Sequence, residues 1–334
     1  MESSFRDRLV VMASDIKHIG ILTSGGDAPG MNAAVFAVAK TAKNHGIKLS
    51  GIRKGFEGLI DNDLLPLDPN KMQRLMHQGG TILKTARSER FMSAQGQNKA
   101  LRTIEQNKLD AIIAIGGDGT FRGMLALSKI SNIPFIGIPG TIDNDIAGTD
   151  YTLGFDSAVN TAVKCIDNIR DTAESHNRVF LVEVMGRDSG YIGIHSGLSC
   201  GADAILVPES NEDINYLLHK IKHYNSEDAF IVVMCEGDEL NVEQVSSKIR
   251  KVNAHIDLRI AKLGHIQRGG NPSAQDRMLG IRLGVLATKA IINGESGKMA
   301  GVCDNKPTLR PIKSVMKKQS VDAETQDLLT LFCG

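Results

Sequence analysis

The strongest constraint on this chain's fold is a series of short, continuous apolar runs, each stopping at a glycine-rich polar loop. The run 18–23 (HIGILT) ends in Ser24-Gly25-Gly26-Asp27, and 110–115 (DAIIAI) ends in Gly116-Gly117-Asp118-Gly119-Thr120. A third, 133–138 (IPFIGI), ends in Pro139-Gly140-Thr141-Ile142-Asp143-Asn144-Asp145. Isoleucine-rich runs of this length, bounded by glycine, read as β-strands. They are continuous rather than alternating, so both faces are expected to be covered, as in a parallel sheet flanked by helices. Residues 47–52, 179–184, 204–207 and 229–235 give further strands, and the alanine-rich 31–43 gives a helix with one apolar face. Alternation of strand and helix predicts an α/β fold in three layers. In open sheets of that kind ligands sit beyond the carboxyl ends of the strands, so the loops there are where chemistry is expected.

A chain of 334 residues is long for one core and suggests two domains. The net charge of +1 gives no bulk attraction for nucleic acid or an anionic membrane. The absence of Trp, with only 4% aromatic residues, argues against stacking platforms for single strands. Cys165, Cys200, Cys235, Cys303 and Cys333 are odd in number, widely spaced and without a CxxC, which fits a reducing compartment and not a structural zinc site. No uncharged apolar stretch is long enough to span a bilayer. The apolar run 9–13 is interrupted by Asp15 and Lys17 too early for a signal-peptide core. A cytoplasmic protein is expected, with 1–14 a loose leader and Met12 an alternative start.

The loops supply the chemistry. In GGDGT (116–120) glycines let the backbone approach a ligand, and the following helix offers free N–H groups to phosphate oxygens. An Asp in such a loop suits phosphate only with a cation between them, which makes Asp118 a candidate magnesium ligand. A simple strand-to-helix turn capped by Asp explains this motif alone equally well. No GxxxxGK[ST] is present, and Gly117, Gly119 and Gly123 match the dinucleotide fingerprint poorly. In PGTIDND (139–145) two acids two residues apart can divide labour, one accepting a proton from a hydroxyl and the other holding metal-bound water. Either acid alone reads as an Asx-rich turn. Candidate cations for phosphate are Arg87, Arg178, Arg187, Arg259, His265 and Arg268. His219 and His223 share a helix face without an intervening acid and read as solvated rather than metal-binding.

The blocks TSGGDAPGMNAA (23–34), GGTILKTAR (79–87), GGDGT (116–120), PGTIDND (139–145), MGRDSGY (185–191) and GHIQRGGNPS (264–273) resemble, in order and spacing, the successive motifs of the bacterial ATP-dependent 6-phosphofructokinases. The resemblance covers essentially the whole chain after Ile16. It implies two Rossmann-like three-layer α/β domains with the active site in the cleft between them. Residues 15–154 plus 267–317 would bind ATP and magnesium, and 155–266 plus 318–334 would bind fructose 6-phosphate. It further implies that Asp143 is the general base toward the sugar 1-hydroxyl, that Thr141 and Arg187 hold the transferring phosphoryl group, and that Arg87 bridges the nucleotide phosphates. Asp118 would position Mg2+, with Asp145 assisting. Gly25, Gly26, Ser88, Gly119, Thr120 and Gly123 would line the nucleotide. Met185, Gly186 and Glu236 would meet the sugar, and His265 and Arg268 its 6-phosphate. Arg178 and Arg259 would reach in from a neighbouring subunit, implying a homotetramer with shared sites.

Pyrophosphate-dependent relatives carry Asp at the position of Gly119 and Lys at that of Gly140, so two glycines here favour ATP; the pyrophosphate-dependent enzyme is the alternative. NAD and lipid kinases share only GGDGT, and a non-catalytic sensor has no use for the acid of the 139–145 loop. Departures from the pattern are Met92 in place of an Arg, with Arg90 as a substitute, and Asp188 and Tyr191 in MGRDSGY. The positions matching the family's effector site read Phe36, Lys40, Pro69 and Asn225-Ser226-Glu227-Asp228, with Arg170 and Asp203 retained. Loss of cations there predicts weak or absent ADP activation and phosphoenolpyruvate inhibition.

Overall fold

A computed structural model describes residues 16–210, 212–225, 228–317, 319 and 321–333. The expected leader 1–14, and Ser226 and Glu227 of the effector loop, lie outside the described residues. The strands in chain order are β1 (His18–Thr23), β2 (Lys48–Ile52), β3 (Leu64–Pro66), β4 (Ala111–Gly116), β5 (Phe135–Pro139), β6 (Val179–Val184), β7 (Ala204–Leu206), β8 (Phe230–Cys235), β9 (Leu258–Lys262), β10 (Lys298–Cys303) and β11 (Lys306–Pro311), with helices between them. The chain is α/β, as the apolar runs predict.

The described residues divide into two compact units. The first holds 16–140, Ile146–Leu153 and Ala274–Lys317. Its seven-stranded sheet has the order β11-β10-β5-β4-β1-β2-β3. β1 pairs in parallel with β2 on one side (Ile21 opposite Gly51) and with β4 on the other (Ile21 opposite Ile113). Strand order therefore reverses between β1 and β4, the switch point at which such sheets open to ligands. Every residue of β1 and β4 is buried. Burying each of Ile19, Ile21, Leu22, Ile112 and Ile113 contributes about 1.5–3 kcal/mol relative to exposure. The outer strands β3 and β11 are antiparallel. β11 contains Pro307 and Pro311, which an edge strand tolerates because no ladder donor is needed on its outer side. The third apolar run starts at Phe135 rather than Ile133, because Pro134 has no N–H and only its carbonyl joins the ladder, accepting from Ile112.

The second unit holds Thr141–Asp145, Gly154–Ser273 and the described residues beyond 318. Its four strands are all parallel, in the order β7-β8-β6-β9. Leu181, Leu206, Val232 and Met234 pack against Leu217, Ile221, Val245 and Ile249 of the covering helices. β6 lies between β8 and β9, so the loops leaving those three strands emerge side by side.

Candidate active site

In the first unit the loops after β1 and β4 are tied to residues 84–88. Ser24 N–H donates to Ile115 O (3.0 Å) and Thr120 Oγ1 donates to Ser24 O (3.1 Å). Thr85 Oγ1 donates to Gly25 O (2.7 Å), and Thr23 Oγ1 to Lys84 O (2.8 Å). Gly25 sits at φ 88°, where a side chain is strained. These bonds gather Gly25, Thr120 and the chain leading into Arg87 at the switch point; Gly26 adjoins them and the Arg87 side chain is exposed. Ser88 Oγ is held by Glu57 Oε1, and Arg90 is held by Glu57 and Asp61, each at 2.7 Å. Arg90 is thus committed to two carboxylates, and Met92 stands 83% exposed beside it.

Asp118 opens the helix Asp118–Leu127, where the helix dipole favours a carboxylate. Its Oδ2 pairs with Arg122 one turn on, at 2.7 Å. Gly119 faces open space: a Cβ there would meet nothing within 4 Å. At Gly140 a Cβ would lie 2.9 Å from the Met31 methyl and 3.0 Å from Ile115 Cγ2, so the position is packed. Gly123 is a packing glycine, since a Cβ would lie 2.5 Å from the Phe56 ring. Among the described residues no three His, Cys, Asp or Glu side chains converge on a metal position. An accessible carboxylate beside a glycine loop fits a cation that takes its other oxygens from phosphate and water.

In the second unit Asp143 is buried at 2% exposure in the turn 141–145. Asp143 N–H donates to Thr141 Oγ1 (3.2 Å), and Asn144 takes the left-handed conformation (φ 50°). Arg187 Nε lies 3.7 Å from Asp143 Oδ2. Burial pushes the Asp143 carboxyl above the usual carboxylate range; Arg268, Arg187 and the Thr141 hydroxyl oppose that, and Glu236 adds to it. Asp143 Oδ1 and Ser189 Oγ are buried and without a hydrogen-bond partner among the described residues.

Three strand ends assemble the rest. Met185, Gly186 and Arg187 leave β6, Glu236 leaves β8, and His265 and Arg268 lie on the short helix Gly264–Arg268 just beyond β9. Arg187 is left-handed (φ 53°) and its N–H donates to Glu236 Oε1 (3.2 Å). Gln267, fully buried, accepts from Met185 N–H (3.3 Å) and donates to Gly264 O (3.1 Å), fixing the turn that bears His265 and Arg268. Arg178 and Arg259 are not brought to this group. They share Asp257, at 2.7 and 3.0 Å, at the opposite end of β6, on the order of 20 Å from Arg187 along six strand residues. The His219 and His223 rings lie 4.6 Å apart, tilted at 46°, on the exposed face of a helix, and among the described residues no third ligand joins them.

Sequence reasoning missed Thr85, Gln267 and Gly237. Gln267 lies inside a quoted motif, but nothing in its type reveals that its amide faces inward. No helix among the described residues is long and apolar enough to cross a membrane.

Comparison with known proteins agrees with this arrangement. Residues 18–291 match the phosphofructokinase family model. The chain is 42% identical over 320 residues to the ATP-dependent 6-phosphofructokinase of Cytophaga hutchinsonii, covering 95% of this chain and 97% of that one. It is 44% identical over 306 residues to ATP-dependent 6-phosphofructokinase 1 of Thermus thermophilus, covering 91% and 95%. A solved structure of Pichia pastoris phosphofructokinase in the T-state superposes with a TM-score of 0.82 at 33% identity, over 93% of this chain but 36% of that longer one. With a family model spanning most of its length and relatives covered nearly end to end, the chain belongs to the phosphofructokinase family.

Proposed function

We infer that this chain is an ATP-dependent 6-phosphofructokinase, which moves the γ-phosphate of ATP to the 1-hydroxyl of fructose 6-phosphate, giving fructose 1,6-bisphosphate and ADP. The observation that carries the reading is Asp143: a buried carboxylate with one unpartnered oxygen and Arg187 beside the other, in a chain 42–44% identical to enzymes of that name. Asp143 takes the proton of the attacking hydroxyl. Arg187 and Thr141 hold the phosphoryl group as it passes, and Arg87 spreads positive charge over the donor phosphates. Glu236 accepts from sugar hydroxyls beside Met185 and Gly186, while His265 and Arg268 take the 6-phosphate. On the donor side Gly25, Gly26, Ser88, Gly119 and Thr120 line the nucleotide, while Gly123 is given over to packing on Phe56, and Asp118, with Asp145 assisting, would hold Mg2+. That ion supplies neutralisation of the phosphate oxygens. The first unit is the nucleotide domain and the second the sugar domain.

ATP is favoured over pyrophosphate because the open space at Gly119 leaves room for a nucleotide. The separation of Arg178 and Arg259 from Arg187 supports their service to a neighbouring subunit's site, in a homotetramer. Free cysteines support a cytoplasmic enzyme. At the effector positions one Arg170 guanidinium nitrogen donates to the carbonyls of Cys200 and Gly201 (2.7 and 2.8 Å), which tethers that cation and supports weak ADP and phosphoenolpyruvate regulation. Initial rates should then show no shift of half-saturation for fructose 6-phosphate with millimolar effector; a clear shift refutes this.

A coupled assay with fructose 6-phosphate, Mg2+ and either ATP or pyrophosphate tests the reaction and the donor. Asp143→Ser should lower turnover by at least about 10²–10⁴-fold, with calorimetric binding of fructose 6-phosphate kept. Unchanged turnover in that variant eliminates the mechanism.

A further inference from the structure

Two loops must be held in register for Asp143 and Arg187 to work together, and both are tied to one residue near the C-terminus. Gln319 N–H donates to Asp145 O (3.1 Å), two residues beyond Asp143. Its side-chain Nε2 donates to Tyr191 Oη (3.2 Å), four residues beyond Arg187. Tyr191 begins the helix Tyr191–Ser199 and is 3% exposed, so its hydroxyl has few positions open to it. Its ring lies edge-on to Phe155 (centroids 6.2 Å apart) and tilted against His195 (6.1 Å). Just before it, Gly190 N–H donates to Glu209 Oε1 (2.9 Å). The helix behind the Arg187 loop is therefore rigidly placed.

The far side of the link is anchored as well. Asp322 accepts from Thr325 N–H and from Thr325 Oγ1, each at 2.9 Å, capping the C-terminal helix Ala323–Cys333. Cys333, at the end of that helix, packs back through its Sγ onto Ala202 O.

We propose that Gln319, by bonding Asp145 with its backbone and Tyr191 with its side chain, is a positioning residue that staples the turn carrying Asp143 to the segment carrying Arg187. The staple consists of bonds to the Asp145 carbonyl and the Tyr191 hydroxyl. It acts only through the spacing of two groups already 3.7 Å apart. The Tyr191 hydroxyl is what gives the Gln319 amide an acceptor at that place. The inference rests on the phosphofructokinase reading given above.

The test uses the full chain with Gln319→Leu, Tyr191→Phe and the double variant. Losing one neutral hydrogen bond corresponds to roughly a two- to ten-fold effect. Each single variant should lower kcat by about that factor, with KM for both substrates within about twofold. Because both changes break the same link, the double variant should be no slower than the slower single. Hydrogen exchange should rise together in peptides covering 141–145 and 187–191, and stay unchanged in Met31–Asn44. Unchanged kcat, a multiplicative double variant, or faster exchange confined to the C-terminal helix overturns the staple. A wild-type chain without turnover would sink the reaction assignment instead, and the exchange comparison would still decide the staple.

Discussion

Gly237→Ala tests how tightly the backbone fixes the Arg187 side chain. Gly237 follows Glu236 at the end of β8. A Cβ built there would sit 1.5 Å from Arg187 O and 2.4 Å from its carbonyl carbon. Both are backbone atoms, so no rotamer change relieves the overlap. An ordinary carbon–oxygen contact is about 3.3 Å, so the two loops must part by about 1.8 Å. Arg187 is already left-handed, a conformation that costs about 1–3 kcal/mol in a non-glycine residue and persists only while its surroundings enforce it. That displacement is about half of the 3.7 Å separating Arg187 Nε from Asp143 Oδ2. A 1 Å misplacement of catalytic groups can lower rates about 10²-fold, so Gly237→Ala should lose at least that much turnover. Overpacking of this kind also destabilises by about 1–3 kcal/mol. The assay is steady-state turnover with ATP and fructose 6-phosphate, at a temperature where circular dichroism shows the variant folded. Gly46→Ala is the control, since its Cβ would meet nothing within 4 Å and only its positive φ is strained. It should lower thermal stability slightly and leave kcat unchanged. A folded Gly237→Ala enzyme with kcat within twofold of wild type would refute the claim that this contact sets the Arg187 position.

Arg122→Gln should free the Asp118 carboxylate from its ion pair. Exposed pairs are worth about 0.2–1 kcal/mol, so half-saturation for a divalent cation, read by Mn2+ binding, should fall by up to about fivefold; a rise would mean that Arg122 helps hold the donor. Asp143→Asn should abolish turnover and raise Tm at pH 7. Burial lifts the folded-state pKa of Asp143 above its unfolded value, so the folded protein holds that proton more tightly. Stability from this group is greatest below the unfolded pKa and falls as pH rises through the folded one, so the gain from Asn should vanish in acid melts. An equal Tm difference at both pH values contradicts this.

Strand positions were legible because burial on both faces leaves continuous apolar runs, as in β1 and β4. The strands at 258–262, 298–303 and 306–311 were not anticipated. β9 and β11 are largely exposed, so burial does not mark them; β9 is made a strand by pairing with the distant β6, and β11 by a hairpin with β10. The proposed site residues Asp118, Asp143 and Arg187 stand out in the sequence because they are charged residues in glycine-bearing loops. Their supports do not. That Arg90 is spent on Glu57 and Asp61, that Gln267 points its amide inward, and that Gly237 admits the Arg187 carbonyl all depend on which segments meet in space. Residue type and spacing carry no record of those meetings.

Two aspartates of this chain show why the placement of Asp143 suits a base. Asp61 lies on the surface in direct contact with Arg90, and that bond holds its carboxyl below the usual carboxylate range. Such a group is a poor proton acceptor, because its charge is already satisfied. At Asp143 the Arg187 Nε stops at 3.7 Å, beyond hydrogen-bond distance, and burial outweighs the attraction of Arg268 and Arg187. Leaving Oδ1 buried and unpaired costs about 1–3 kcal/mol in the folded protein. A hydroxyl donating to that oxygen recovers the cost on binding, and the raised proton affinity then favours transfer to the carboxylate. The strain that weakens the fold at Asp143 is thus the source of both its affinity for an alcohol and its strength as a base. Tightening the Arg187 contact to an ordinary salt bridge would stabilise the protein and slow the reaction together.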